Sequence, residues 1–265
     1  MDLPQYLQGL SFRFVEPGQK RSPASHVAAA LTGLRVPLDA LNTRLPFDRS
    51  GMRRKLRATR IGTAGHPLAV RAVINRGVAH LEEREAFVAF GLGSGESLLA
   101  AVAGNGEKLC IGIEDDQSPK CGATPRTKST FLRRFDELAN GECHFIEANF
   151  KRCVARLENR PIGVCFVSAN SHKPIAERLV DCEPLLAENG YLLIDNGNCA
   201  RTRHTALEFV ATSRNQYRVL MDARSDETCA VTWGRGLFVI QLLGRNAVGR
   251  SDSGLDASPV LIPAA

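Results

Sequence analysis

Three glycines and one acid between residues 85 and 116 have the spacing of a nucleoside-binding turn. Gly91, Gly93 and Gly95 follow an apolar run and precede a helix-like segment, and Glu114 ends the next apolar run. Glycine lets the backbone adopt positive φ and approach a ligand closely, because it has no Cβ. A carboxylate at the tip of the neighbouring parallel strand can accept both hydroxyls of a ribose. The stretch therefore predicts a strand, a glycine turn, a helix and a second strand that together bind a nucleoside.

The glycine spacing distinguishes between nucleoside cofactors. A dinucleotide fingerprint reads G-x-G-x-x-G and seats a pyrophosphate on the helix N-terminus. Here the pattern is G-x-G-x-G, and Glu96 stands where the fingerprint has its third glycine. Because an acid is a poor neighbour for a pyrophosphate, a cofactor without phosphates fits better. S-adenosyl-L-methionine is the common cofactor of that kind.

This stretch resembles motif I of the class I S-adenosylmethionine-dependent methyltransferases, with Glu114 in the place of their ribose-binding acid. The resemblance covers roughly residues 85–243. It is closest to the small-molecule and sugar O-methyltransferases, a group that includes catechol-type, macrolide-sugar and cephalosporin-hydroxylase-like enzymes. The resemblance implies an α/β, Rossmann-like, doubly wound sheet of seven strands, mostly parallel with an antiparallel last strand.

Apolar periodicity and turn residues predict the other elements of this fold. A continuous apolar run such as 162–167 is typical of a parallel strand buried on both faces. The predicted helices cover 62–81, 127–139, 175–186 and 204–213. The predicted strands cover 143–148, 162–167, 191–195 and 217–221, followed by a hairpin-like pair at 228–232 and 237–243.

The ends of the third and fourth strands supply three further cofactor candidates. In the family, the turn after the third strand holds the adenine through an Asp or Asn and an apolar neighbour, and Asn149 and Phe150 would take these roles. The alternative is a capping asparagine and a core phenylalanine. Ser168 ends the fourth strand and is the third candidate.

Asp195 and Asn196 end the following strand and resemble the Asp-Asp or Asp-Asn pair of O-methyltransferases. Those enzymes place a metal-binding aspartate at the end of the fourth strand, where this chain has Ser168. Magnesium requires hard oxygen ligands, usually carboxylates, in near-octahedral geometry. We therefore expect Asp195 and Asn196 to form at most a weak magnesium site. Asp195 can also act without a metal, as a carboxylate facing the crevice at the strand ends.

Two histidines are candidate general bases for a hydroxyl nucleophile. His172 follows the fourth strand and His204 follows the fifth. An imidazole with a near-neutral pKa can take a proton from a hydroxyl as its oxygen attacks the methyl carbon. The alternative for each is a surface histidine. Near His204, Arg201 and Arg203 could instead bind an anionic substrate.

The chain of 265 residues suits one large α/β domain with an extra segment. We expect an N-terminal basic, helical appendage over residues 1–65, which in the family covers the active site or forms a dimer contact. The methyltransferase domain would cover 66–245, and a loosely ordered tail 246–265. No run of some 18 apolar residues and no secretion signal are visible, so we expect a cytoplasmic protein without membrane contact. Eight cysteines lack a C-x-x-C pair and are expected to be free.

The net charge of +6 and the pI near 9.0 permit contact with nucleic acid without requiring it. Much of the excess lies in a basic run that only Asp48 opposes: Arg44, Arg49, Arg53, Arg54, Lys55, Arg57 and Arg60. One interpretation is that these residues are solvated, on a helix face or in a mobile basic loop. The other is that they form a patch that gathers an anionic substrate. Aromatic residues do not interleave with these arginines, so the stacking part of a single-strand nucleic-acid site is missing.

These features together predict an S-adenosylmethionine-dependent methyltransferase that acts on a hydroxyl, or less readily an amine, of a small molecule or glycoside. Two alternatives stay open. The first is a methyltransferase fold that binds the cofactor but has lost catalysis, and the second is an RNA methyltransferase.

Overall fold

Short N-terminal elements precede the main sheet. The computed structural model describes residues 1–17, 38–46, 50–61, 65–114, 124–147, 150–168, 174–225 and 231–246. The first elements are α1 (Leu3–Gly9), β1 (Ser11–Phe12), α2 (Leu38–Asn42), β2 (Thr43–Arg44), α3 (Ser50–Ala58) and α4 (Leu68–Ala79). The strands β1 and β2 pair antiparallel with each other. Leu3, Leu56 and Ile61 are buried in the same core as α4, so the appendage packs on the main domain.

A mixed sheet of seven strands forms the centre of the described chain. Its strands are β3 (Ala86–Phe90), β4 (Leu109–Glu114), β5 (Cys143–Glu147), β6 (Ile162–Val167), β7 (Leu186–Asp195), β8 (Gln216–Ala223) and β9 (Leu237–Gly244). The strand order is β5-β4-β3-β6-β7-β9-β8. Neighbouring strands from β5 to β7 are parallel, whereas β9 is antiparallel to both β7 and β8. The predicted seven-stranded sheet with an antiparallel last strand is confirmed.

The strand order reverses between β3 and β6. After β3 the chain moves through β4 to β5 on one side, and β6 then pairs with β3 on the other side. Ligands of open α/β sheets bind in the crevice outside the carboxyl ends of the strands at such a switch point. The ends of β3 and β6 therefore mark the place where a site is expected.

Alternating residues of the strands contact helices on opposite faces of the sheet. The remaining helices are α5 (Glu96–Val102), α6 (Pro125–Leu138), α7 (Phe150–Leu157), α8 (Ile175–Cys182) and α9 (Ala200–Thr212). Phe87 and Phe166 are buried in the core that includes α4 and α5. Val88 and Cys165 are buried in the core that includes α8 and α9. This alternation follows from the two-residue period of a strand.

Two predicted helices have different bounds in the structure because prolines limit them. The helix predicted over 62–81 begins at Leu68, directly after Pro67, and residues 62–64 lie outside the described residues. The helix predicted to continue to Leu186 ends at Cys182. Pro184 lies in a 3₁₀ turn that follows it. Proline lacks the N–H that an α-helix interior needs.

Two other predictions near the C-terminus differ from the structure where the structure describes them. Helix α9 begins at Ala200, four residues before the predicted start of the helix over 204–213. Of the predicted strand at 228–232, residues 231 and 232 lie in a turn, and residues 228–230 lie outside the described residues. The antiparallel partners of β9 are β7 and β8. Most of the predicted tail, residues 247–265, also lies outside the described residues.

The cysteines for which the structure gives contacts are free, and four of them are buried. Cys110, Cys143, Cys165 and Cys182 are free and buried. Across the described ranges, no helix combines the length and apolar character that a membrane span requires.

Candidate active site

The glycine turn connects β3 to α5 in left-handed backbone conformations. Gly91, Gly93 and Gly95 have φ values of 67°, 56° and 83°. A side chain at such φ values is strained, so the turn depends on glycine. A Cβ built on Gly95 would lie 2.1 Å from the Phe131 ring, whereas a Cβ on Gly93 would contact nothing within 4 Å. Gly95 is therefore packed against the protein, and Gly93 borders open space.

Glu114 is held against this turn by the backbone of Gly93. The Gly93 amide donates to Oε2 of Glu114 at 3.0 Å, and the Gly91 amide donates to the Ile113 carbonyl at 3.1 Å. Glu114 is half-buried at the tip of β4, in register with Glu147 at the tip of β5. The carboxylate predicted to bind a ribose and the predicted glycine turn are thus brought together at the switch point.

Glu96, the residue that follows the last glycine, is completely buried. Its Oε1 accepts a hydrogen bond from the Ile61 amide, and its carboxylate lies directly against Gly65. Burial raises the pKa of Glu96 to about 7, against the opposing effects of Arg71 and the backbone amides. The Glu96 carboxyl therefore lies inside the protein, where its contacts with Ile61 and Gly65 connect the appendage to the glycine turn.

A buried ion pair fixes the chain on the appendage side of the turn. Arg71 is 1% exposed, and its guanidinium donates to the Leu56 carbonyl and contacts Asp39 at 3.4 Å. The other oxygen of Asp39 pairs with Arg60 at 2.9 Å. Oδ2 of Asp39 also accepts the Leu68 amide at 2.9 Å. Breaking one partner of such a pair leaves a buried charge uncompensated, so these contacts hold α2 and α4 together.

Asp195 is buried at the tip of β7, where it contacts a cation and an imidazole. Nη2 of Arg235 lies 2.5 Å from Asp195 Oδ2, and Nδ1 of His66 lies 4.0 Å from Oδ1. The His66 ring also packs edge-on to Phe166, with 5.3 Å between the ring centroids. Burial lowers the pKa of His66, with Arg235 and Arg71 also lowering it and Asp195 opposing them. The His66 imidazole is therefore neutral at neutral pH.

The loop before β9 positions Arg235 next to Asp195. Gly234 and Gly236 flank Arg235 with φ values of 63° and 85°. The Asn198 amide donates to the Arg235 carbonyl at 2.8 Å. A Cβ on Gly234 would lie 2.7 Å from Cγ of Pro67, so the loop packs closely on the residue after His66.

Ser168 and Phe150 border the end of β3. Ser168 is 3% exposed, and its amide donates to the Phe90 carbonyl at 3.0 Å. The Phe150 ring lies 5.3 Å from the Phe90 ring. The guanidinium of Arg178, a residue of α8, lies 4.8 Å from the Phe90 ring. Both predicted residues thus lie at the switch point. Two other candidates, Asn149 and His172, lie outside the described residues.

The residues at the end of β7 do not fit a magnesium site. One Asp195 oxygen pairs with the Arg235 guanidinium, which a cation would have to displace. Asn196 has a left-handed φ of 64°, and its carbonyl accepts the Cys199 amide at 3.0 Å. Ser168 offers a hydroxyl where the family has a carboxylate. Since magnesium prefers several carboxylate or water oxygens, this donor set is too poor in negative charge.

The structure does not bring His204 to this site. Its imidazole is 81% exposed on α9 and lies 4.0 Å from Glu208, one helical turn along. Arg203, on the same helix, pairs with Asp222 at 2.7 Å, and Arg201 is exposed. His204 is therefore a surface histidine, which agrees with the alternative interpretation of this residue and not with a role as general base.

The basic run divides into internal and exposed residues. Arg53 donates to the carbonyls of Ala40 and Thr43, at 2.7 and 3.0 Å, and Arg60 pairs with Asp39. The exposed members are Arg44, Arg54, Lys55 and Arg57, and Arg49 lies outside the described residues. Part of the excess charge thus serves the fold.

Sequence reasoning missed His66 and Arg235. Both carried a local signal. His66 precedes Pro67 at the start of an apolar helical period, where an N-terminal boundary is expected. Arg235 stands between two glycines, a pattern typical of a turn. His66 and Arg235 are 169 positions apart in the sequence, and neither signal indicates that both lie next to Asp195.

Comparison with known proteins identifies the fold. Neither a protein-family model nor a curated protein sequence matches the chain. The apo structure of CalS11, a TDP-rhamnose 3'-O-methyltransferase of calicheamicin biosynthesis, has 13% identity and a TM-score of 0.51, covering 84% of this chain and 96% of that one. A second CalS11 structure has 12% identity and a TM-score of 0.50, covering 84% and 94%. The chain therefore shares the fold of this methyltransferase, which agrees with the fold that the sequence resemblance implies.

Proposed function

We propose that this protein transfers a methyl group from S-adenosyl-L-methionine to a hydroxyl of a small molecule or glycoside. An amine is the less favoured acceptor. The observation that carries the proposal is the contact between the Gly93 amide and the Glu114 carboxylate at the switch point. This contact brings the Glu114 carboxylate beside the turn that borders open space, where it could accept the ribose hydroxyls of a nucleoside cofactor.

Glu96 supports a cofactor without phosphates. A dinucleotide fingerprint has its third glycine where this chain has Glu96, so the turn departs from the pattern that binds a pyrophosphate. The Glu96 side chain is buried in the protein, where desolvation disfavours its charged form. S-adenosylmethionine carries no phosphate, so it does not need that third glycine.

Methyl transfer depends mainly on positioning. The acceptor oxygen must lie in line with the methyl–sulfur bond, and holding the two reactants in that geometry supplies much of the barrier reduction. The crevice at the ends of β3 and β6 offers the cofactor a place against Gly93. Asp195, at the end of β7, would lie on the acceptor side of the crevice. A sugar acceptor agrees with the O-methyltransferase character of CalS11, which acts on TDP-rhamnose.

Calorimetry with S-adenosylmethionine and S-adenosylhomocysteine tests the cofactor. Glu114→Ala should weaken binding by about 10- to 100-fold, since hydrogen bonds to a charged group are worth about 1.5–3 kcal/mol. Glu147→Ala is the matched control, because Glu147 ends the neighbouring strand but is 48% exposed and pairs with Lys128. The control should bind like the wild type. Equal affinities in the wild type and Glu114→Ala, or no binding by the wild type, would overturn the proposal.

Transfer of labelled methyl groups to a panel of catechols, methyl glycosides and nucleotide sugars tests the reaction. Product from a hydroxyl compound supports O-methylation. Cofactor binding without transfer to any acceptor would instead indicate a fold that has lost catalysis. Transfer to RNA that weakens steeply with salt would indicate a nucleic-acid substrate.

A further inference from the structure

Three consecutive residues bridge the cofactor side and the acceptor side of the crevice. Gly65 lies against the Glu96 carboxylate after the glycine turn. His66 contacts Phe166 near the end of β6 and faces Asp195 at the end of β7. Pro67 packs on Gly234 in the loop that carries Arg235. The segment 65–67 therefore connects the residue after the glycine turn to the end of β7 and to the loop that carries Arg235.

The two nitrogens of His66 have different surroundings. Nδ1 faces a carboxylate oxygen of Asp195 at 4.0 Å, about 1 Å longer than a hydrogen bond. A histidine nitrogen that faces a carboxylate carries the proton, which leaves the other nitrogen as an acceptor. Arg235 holds the second oxygen of Asp195, so the carboxylate is fixed in this orientation. The side chain of His66 keeps 11% of its surface exposed.

We infer that His66 is the general base of the methyl transfer, with Asp195 and Arg235 as the residues that position it. This inference rests on the proposed function. The acceptor oxygen forms a bond to the methyl carbon as the carbon–sulfur bond breaks, and that electron pair moves to sulfur to give S-adenosylhomocysteine. The acceptor proton moves to Nε2 of His66. The resulting imidazolium is stabilised by the Asp195 carboxylate.

The charged groups around His66 support a neutral resting state. Asp195 from β7 faces its ring, Arg235 approaches from the loop before β9, and Arg71 from α4. The buried Glu96 faces its backbone amide. Burial lowers the pKa of His66 more than Asp195 raises it, so at neutral pH the ring is neutral and carries a single proton, which leaves one nitrogen as an acceptor. A base must be unprotonated before it accepts the substrate proton.

Histidine nitrogen NMR tests the tautomer without an acceptor. The protein is labelled at its six histidines, and His66→Asn assigns the His66 signal. In the presence of S-adenosylhomocysteine at neutral pH, we expect a neutral ring with the proton on Nδ1 and a bare Nε2. A ring protonated at both nitrogens, or a proton on Nε2 with a bare Nδ1, would overturn the inference.

Kinetics of methyl transfer to a hydroxyl compound test the role of the base. His66→Asn should lower kcat by about 10²- to 10⁴-fold, the usual contribution of general base catalysis. Its affinity for S-adenosylmethionine should remain close to that of the wild type, since His66 acts on the acceptor side. The wild-type rate should rise with pH to a plateau, and His66→Asn should lose that rise. Added imidazole should restore part of the activity.

His80→Asn is the matched control. His80 caps the opposite end of α4, about 18 Å away along a helix of twelve residues. This variant should keep the wild-type rate and pH profile. Unchanged transfer in His66→Asn, or loss of transfer in His204→Asn alone, would overturn the inference. If cofactor binding were absent from the wild type, the proposed function would fail instead, so the two failures are distinguishable.

Discussion

The carboxylate of Glu96 occupies the space where a side chain at residue 65 would lie. A Cβ on Gly65 would come within 1.8 Å of Oε2 and 2.1 Å of the carboxyl carbon of Glu96. These two residues join the segment that carries His66 to the glycine turn. The contact therefore couples the two halves of the candidate site.

Gly65→Ala should destabilise the protein by about 1–3 kcal/mol, the usual cost of overpacking a core. The added methyl group must displace either a buried carboxyl or the backbone next to His66. Thermal unfolding measures the effect. Gly51→Ala is the control, because a Cβ there meets nothing within 4 Å, and it should leave Tm unchanged or slightly raised.

A double-mutant cycle links this cost to Glu96. Gly65→Ala should cost less in a Glu96→Ala background, where the clashing atoms are gone, so the two effects should be non-additive. An equal cost in both backgrounds would contradict the contact.

Glu96 should make stability fall as pH rises. Its pKa is about 7 in the folded protein and near its ordinary value of 4.5 in the unfolded chain, so the folded state binds more protons between these values. The stabilisation is complete below 4.5 and is lost as pH rises through about 7. Relative to Glu96→Gln, the wild type should lose about 1.4 kcal/mol per pH unit across this window.

Denaturant unfolding at several pH values measures this difference. Glu137→Gln is the control, because Glu137 is 58% exposed and pairs with Arg133 on the surface of α6. This variant should change the free energy of unfolding by less than about 1 kcal/mol, because exposed ion pairs contribute little. A Glu96→Gln difference that does not change with pH would contradict the raised pKa of Glu96.

Asp195→Asn and Arg235→Met should shift the His66 titration in opposite directions. Asp195 raises the pKa of His66, so removing its charge should lower that pKa further. Arg235 lowers the pKa of His66, so replacing it should raise the value. Histidine NMR titrations measure both shifts. Shifts of the same sign would mean that the Asp195 and Arg235 charges do not act on His66 as the structure indicates.

Methyl transfer should be insensitive to chelators. Asp195 is engaged by Arg235, and the family's fourth-strand aspartate is Ser168 here, so the oxygen ligands for magnesium are too few. Initial rates with EDTA and with added magnesium should agree within about twofold, since a metal that polarises the acceptor contributes several kcal/mol. A rate that collapses with EDTA and recovers with magnesium would restore the metal site that the family resemblance implies.

The sequence alone determined the α/β fold, the glycine turn and the acid at the tip of β4. These features are local: apolar runs set the strands, and the residues that form the turn are close in sequence. Gly93 and Glu114 are only 21 positions apart, and parallel strands bring the two ends of one β-α-β unit to the same edge. The order of strand, helix and strand in the sequence therefore predicts that Gly93 and Glu114 lie close together.

Only the tertiary structure decided which residues surround Asp195. His66 comes from the segment before the sheet, and Arg235 from a loop before the last strand, so neither lies in the repeating strand–helix units that the pattern reveals. The tertiary structure also decided that His204 lies exposed on a helix, and that Glu96 is buried against Gly65. Such contacts depend on how distant segments pack, and the local periodicity of a sequence carries no record of that packing.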